Sequence, residues 1–252
     1  MHPLILVFLS LTFSPSAAQP ARSVSKPTDD RVIIQRRRIV LVRPRSLAKE
    51  FPHKKTAIVV YPVVSGLRNP VVLRRVRTAI DFKNIFDSSL DEYRSDTWLS
   101  EFTYSVNYNR NYMLDLTFEQ SGSGAYPDDQ SKHFLFNLKD GSVMKATDVF
   151  EPGKLASLAA MIDRQLQSEI KQIVKENGED AGDAHDSLKF EVSNLDDFSV
   201  GPKGVTFLYD AGFPHVIKAL QPVGRYFVSY AKLSEYLKSD GLLGRFKHGS
   251  GI

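Results

Sequence analysis

The chain has 252 residues, with 33 Lys plus Arg against 29 Asp plus Glu, a formal charge of +4 and no cysteine. With 25% charged and 42% apolar residues it is neither a mostly disordered chain, a collagen-like repeat nor a polytopic membrane protein, and it is long enough to bury a real core. Zero cysteine excludes disulfides, thiolate zinc sites, iron–sulfur clusters and cysteine nucleophiles.

Residues Leu4 to Phe13 form an apolar run too short to span a bilayer. Ser16 and Ala18 then stand at −3 and −1 of a cleavage site before Gln19, so residues 1–18 read as a secretory signal peptide. No cysteine near that site supports a lipoprotein anchor, and no later stretch is apolar enough for a transmembrane segment. The expected location is secreted or periplasmic. From Gln19 to Lys55 there are 11 basic and 3 acidic residues, a balance of +8; from Thr56 onward there are 22 basic and 26 acidic, a balance of −4. Residues 19–55 therefore read as a basic N-terminal arm or linker, densest at Arg36, Arg37 and Arg38 and continued by Arg43 and Arg45. Such an arm suits an anionic lipid or wall polymer; export argues against nucleic acid. The plainer alternative is a solvated tail or an edge strand protected by charge, because Val32-Ile33-Ile34 and Ile39 to Val42 flank the arginines.

Thr56 to Val64 is a β-branched run that reads as a strand. Asn69 followed by Pro70 starts a helix, with Val72, Val76, Ile80, Phe86 and Leu90 as its apolar face and an end near Arg94. Phe102, Tyr104, Val106 and Tyr108, then Tyr112, Leu114, Leu116 and Phe118, alternate with polar residues on either side of Asn109-Arg110-Asn111. This predicts an antiparallel hairpin with one buried face. Residues 121–130 read as a polar loop, and His133 to Leu138 as a third strand closed by Asp140-Gly141. A long helix begins near Gly153, its apolar residues spaced by three and four from Leu155 to Val174, and ends at Asn177-Gly178. Strands follow over Phe190 to Val200, Val205 to Tyr209 and Arg225 to Ser229, then a short helix from Tyr230 to Leu237. The class is α+β: antiparallel sheets packed against two main helices.

The sequence has no GxSxG, HExxH, Walker or GxGxxG motif in the required context. Its six histidines fall at 2, 53, 133, 185, 215 and 248, with no pair at metal-ligand spacing on one helix face. Glu179, Asp180, Asp183 and Asp186 do not match a calcium-loop spacing and read as a solvated acidic loop. No cofactor and no metal is expected, and no catalytic residue is assigned. The candidates for ligand contact are loop aromatics and their titratable neighbours: Tyr126, Asp128, Asp129, His133, Phe213 and His215. His133, opening a strand, has the bland reading of a surface or interface histidine.

The order of segments resembles the PdaC/RsiV-like extracellular domain family, found beside a peptidoglycan deacetylase and in a lysozyme-sensing anti-sigma factor. YPVVSGLRNPVV is similar to its entry into the first helix, FTYSVNYNRNYMLDLTFEQSGSGAYP to its paired strands and loop, FNLKDGSVMKATDVF to the next strand and turn, and FSVGPKGVTFLYDAGFPHVIKALQPVGRYFVSYAKLSEYL to its closing hairpin and helix. Two positions depart from the pattern: Tyr126 replaces a loop histidine, and Ser229-Tyr230 replaces Pro-Tyr before the last helix. The likeness implies a module in two parts, 56–150 and 151–240, with a tail at 241–252. It implies a non-enzymatic exported binding module whose partner is a cell-wall glycan or a lysozyme-like protein. A structural envelope subunit is the first alternative. A hydrolase or deacetylase on wall glycan is the second, with His133, His215, Asp128 and Asp129 as its only plausible set.

Overall fold

In the computed structural model, residues 28–178 and 183–247 are described. The predicted signal peptide and its cleavage site, residues 19–27 of the basic segment, Glu179 and Asp180 lie outside them. Strands β1 (Ile33–Val42), β2 (Thr56–Ser65), β3 (Leu99–Arg110), β4 (Met113–Ser123) and β5 (Pro127–Asn137) form a five-stranded sheet in chain order. Only β2 and β3 run parallel. Strands β6 (Phe198–Val200), β7 (Gly204–Leu208) and β8 (Arg225–Ser229) form an antiparallel sheet of three. The helices are α1 (Arg45–Glu50), α2 (Pro70–Ala79), α3 (Phe82–Phe86), α4 (Leu90–Ser95), α5 (Ala146–Val149), α6 (Leu155–Asn177) and α7 (Tyr230–Leu233). The fold is α+β, with α2 and α6 as its two main helices.

Several expectations are corrected. Residues 33–42 of the basic segment form an edge strand antiparallel to β2, the plainer of the two readings, and not a loose arm. Arg43 does not belong to a charged surface: it is 4% exposed, and its guanidinium donates to the carbonyls of Lys54, Asp96 and Leu99. The helix from Pro70 does not reach Arg94. Asn69 caps α2 through Val71 N and Val72 N, but Asp81 caps a new helix. Asp87 then takes a left-handed φ of 53°, and a Ser89–Glu92 capping box starts α4. Three caps between residues 69 and 89 divide the segment into three short helices. The crossover from β2 to β3 thereby lays Val72, Val76, Phe82 and Ile85 against the sheet.

The β3–β4 hairpin forms as predicted, through a two-residue turn in which Asn111 and Tyr112 have φ of 58° and 62°. Its second strand, however, is buried on both faces from Met113 to Phe118. Residues 121–130 are not a loop: β4 and β5 pair as far as Ser123 and Pro127, leaving only Gly124 to Tyr126 to turn. The predicted strand over 190–200 shortens to β6, preceded by a 3-10 helix at Val192–Asp196. The last helix stops at Leu233. The segment from 241 is not a free tail: Leu243 is fully buried and Phe246 stacks on Tyr230 with ring centroids 3.9 Å apart.

Two apolar clusters fill the interior. One joins β1, β2, α2 to α4 and one face of β3–β5; the other joins α6, the second sheet and the C-terminal segment to Tyr108, Met113 and Leu135. The large sheet contributes to both.

Candidate functional site

A concave cleft of about 740 Å³ lies between the β4–β5 turn and the segment 210–221. Its first wall is set by a close approach. Gly122 lies so near Trp98 that a Cβ there would come within 2.2 Å of the Trp98 carbonyl oxygen, and Ser123 N donates to that oxygen at 2.9 Å. Lys54 Nζ donates to Ser123 O, closing the turn from below. The second wall is shaped by polar side chains. Asp210 Oδ1 accepts from Gly212 N at 2.9 Å and from Gln221 Nε2 at 3.0 Å, and Gln221 Oε1 accepts from Phe213 N at 3.0 Å. Behind it the buried His185 shares a hydrogen bond with Leu220 O at 2.8 Å and packs its ring 5.3 Å from that of Phe213.

Five of the six candidate residues meet here. Tyr126 stacks on His215 with ring centroids 4.9 Å apart and planes 24° apart, yet remains 66% exposed. Asp128, Asp129 and Phe213 line the same cleft. Asp128 lies 3.7 Å from Lys218 Nζ; both side chains are nearly half exposed, so the pair joins the walls weakly. Asp129, Gln130 and Ser131 also border a trough of about 410 Å³ on the sheet face, beside Glu101, Thr103 and Glu119. Trp98, Asp210, Lys218 and Gln221 belong to the cleft and were not singled out in the sequence. Trp98, the sole tryptophan, is the one of these with a signal, since it follows a polar run and stands immediately before β3.

His133 is elsewhere. Its side chain is 6% exposed and lies between two carboxylates: Nε2 donates to Asp115 Oδ1 at 2.8 Å, and Nδ1 to Asp197 Oδ1 at 2.9 Å. With both nitrogens donating, the ring is an imidazolium. Burial by itself lowers the pKa, but the hydrogen bonds and charges of Asp115 and Asp197 outweigh it and raise the value to about 9. Asp115 is fully buried. It also accepts from Asn107 Nδ2 at 2.7 Å, Ser199 Oγ at 2.8 Å and Val200 N at 2.7 Å. This network ties β3, β4 and β5 to β6 as a joint between the two sheets, and His133 with Asp197 also lines a separate depression of about 450 Å³ beside Asp210.

Arg36, Arg37 and Arg38 are exposed on β1, and Arg45 is exposed at the start of α1. Neither set lines the cleft. Among the described residues no cluster of three or more His, Cys, Asp or Glu is arranged to hold a metal ion, and no helix is long and apolar enough to cross a membrane.

No family model and no curated protein matches this chain. Solved structures do. A DUF3298 family protein from Bacteroides fragilis superposes with a TM-score of 0.56 at 12% identity, over 89% of this chain and 100% of its own. A DUF3298 family protein from Pseudomonas aeruginosa gives 0.53 at 13% identity, over 83% and 96%. At such identities the likeness shows the fold: nearly the whole chain has the α+β architecture of DUF3298 proteins.

Proposed function

We propose that the protein is an exported, non-enzymatic binding module and that the cleft between the β4–β5 turn and residues 210–221 receives a cell-wall saccharide. The observation that carries this reading is the exposed Tyr126–His215 stack at the lip of a cleft that also holds Trp98, Phe213, Asp128 and Asp129. Flat aromatic faces suit the C–H faces of a sugar ring, and carboxylates and amides suit its hydroxyls. Export rests on the N-terminal sequence. A lysozyme-like partner, the other possibility implied by the family resemblance, needs a broad surface of about 800 Å² per partner, whereas the feature that stands out here is the grouping of the Tyr126, His215, Trp98 and Phe213 rings.

The hydrolase alternative is weaker. His133 is committed to the buried joint, and no hydrogen bond links His215 to Asp128 or Asp129. A general base held by an orienting carboxylate is therefore missing from the cleft.

The test is retention of residues 19–252 on insoluble peptidoglycan, followed by titration with soluble muropeptides. Tyr126→Ala and Phe213→Ala are each expected to weaken binding about tenfold, the scale of one lost aromatic contact. No retention of the wild type, or retention indifferent to both substitutions, overturns the assignment.

A further inference from the structure

Strand β1 is an outer strand of the large sheet. Arg43 N donates to Lys55 O at 3.1 Å, and from that pair the β1–β2 register runs without a bulge through Val42–Thr56 to Ile33–Ser65. Bonded and non-bonded pairs alternate along an antiparallel ladder. The odd-numbered residues therefore bond to β2, and Ile34, Arg36, Arg38, Val40 and Val42 turn their N–H and C=O groups off the sheet. Among the described residues no other element supplies these groups with a backbone partner. The period of two also sets these five side chains on one face. Arg36 and Arg38 are exposed there, Val40 and Val42 are 45% and 63% exposed, and Ile58, opposite Val40, is 37% exposed. No described carboxylate forms an ion pair with Arg36, Arg37 or Arg38. The other edge differs, because on β5 Asp197 and the 210–221 segment stand against the strand.

We propose that β1 recruits an extended segment of a partner protein as an additional strand, one carrying two carboxylates at alternate positions against Arg36 and Arg38 and apolar residues against Val40 and Val42. Main-chain bonds along the edge supply affinity, and the alternating side chains set the register. Two other occupants fit poorly. A second copy, paired antiparallel over most of β1, sets arginine opposite arginine, which is unfavourable. The chain's own residues 1–27 contain no Asp or Glu.

The probes are fluorescent peptides reading Val-Thr-Val-Thr-Glu-Thr-Glu and its reverse order, measured against the full mature chain by anisotropy. Controls carry Lys for Glu, or N-methyl groups on alternate amides in each of the two phases. One of the two orders is expected to bind, and to lose at least about tenfold in affinity in the Lys form and in one phase of methylation. The Arg36→Glu/Arg38→Glu variant should lose as much. Val40→Pro should too, since it removes an outward N–H while leaving the β1–β2 bonds intact; circular dichroism checks its fold. No binding of either order at about 1 mM overturns the proposal. Binding that polyglutamate abolishes equally well, and that neither methylation nor Val40→Pro changes, also overturns it, because charge alone is then acting.

Discussion

At the scale of single residues, His133 shows how position in the fold decides what a side chain does. In the sequence it opens a strand, and its partners stand 18 residues before it and 64 after it, beyond the reach of local pattern. In the fold it is an imidazolium between two carboxylates with a pKa near 9, above the ordinary 6.5. A folded-state value above the unfolded one means that the stabilisation is complete below pH 6.5 and is lost as pH rises through about 9. The shift corresponds to about 3 kcal/mol at most, and relaxation of the pair reduces it. His133→Gln is therefore expected to lower stability by about 2–4 kcal/mol at pH 6, because a buried carboxylate loses its cation. The gap between variant and wild type should narrow as pH rises toward 10. Urea titrations of both proteins at pH 6, 8 and 10 check this, and a gap that stays constant removes the imidazolium from the account.

Among the elements, those with strong periodicity were legible: β2, the β3–β4 hairpin, α6 and β8 all lie close to where alternation and helical spacing put them. The errors share a cause. SGSGAYPDDQ has no apolar alternation, so its strands were invisible; their pairing comes from the flanking ladder and from the fit of Gly122 under Trp98. The loop aromatics of the 121–130 and 210–222 segments do come together, since the two segments face one another across the cleft. What the sequence hid was the rest of the wall, Trp98 and the Asp210–Gln221 brace, which depends on contacts between distant segments. The close approach yields a prediction. A methyl at Gly122 collides with a backbone carbonyl, so relief requires the strands to move apart. Gly122→Ala is expected to cost about 1–3 kcal/mol, as overpacking does, and to weaken saccharide binding with Tyr126 left intact. Thermal melts and the muropeptide titration test it together. A variant as stable as wild type that binds normally shows that this packing does not set the cleft.

For the whole molecule, the division of the sequence near residue 150 does not coincide with the division of the core. Strands β3 to β5 contribute Phe102, Leu114 and Phe118 to one cluster and Tyr108, Met113 and Leu135 to the other, so neither cluster is complete without the same sheet. Hydropathy showed that β4 alternates, but not that its polar face is covered as well; that cover is β6, more than seventy residues on, bonded through Asp115 to Ser199 and Val200. The cleft inherits this arrangement, because one wall hangs from the large sheet and the other from the segment between β7 and β8. The halves should therefore unfold together. Trp98, the only tryptophan, reports on the cluster beneath the large sheet, while α6, the longest helix, dominates the far-ultraviolet signal from the other. In urea the fluorescence and circular dichroism transitions of the wild type are expected to coincide, as a two-state domain requires. Asp115→Ala removes the acceptor common to both sheets and leaves His133, Ser199 and Val200 N without it. That variant is expected to lose about 3–5 kcal/mol, the cost of breaking a buried charge network, and to separate the two transitions. Transitions already separate in the wild type place the coupling elsewhere than in this network.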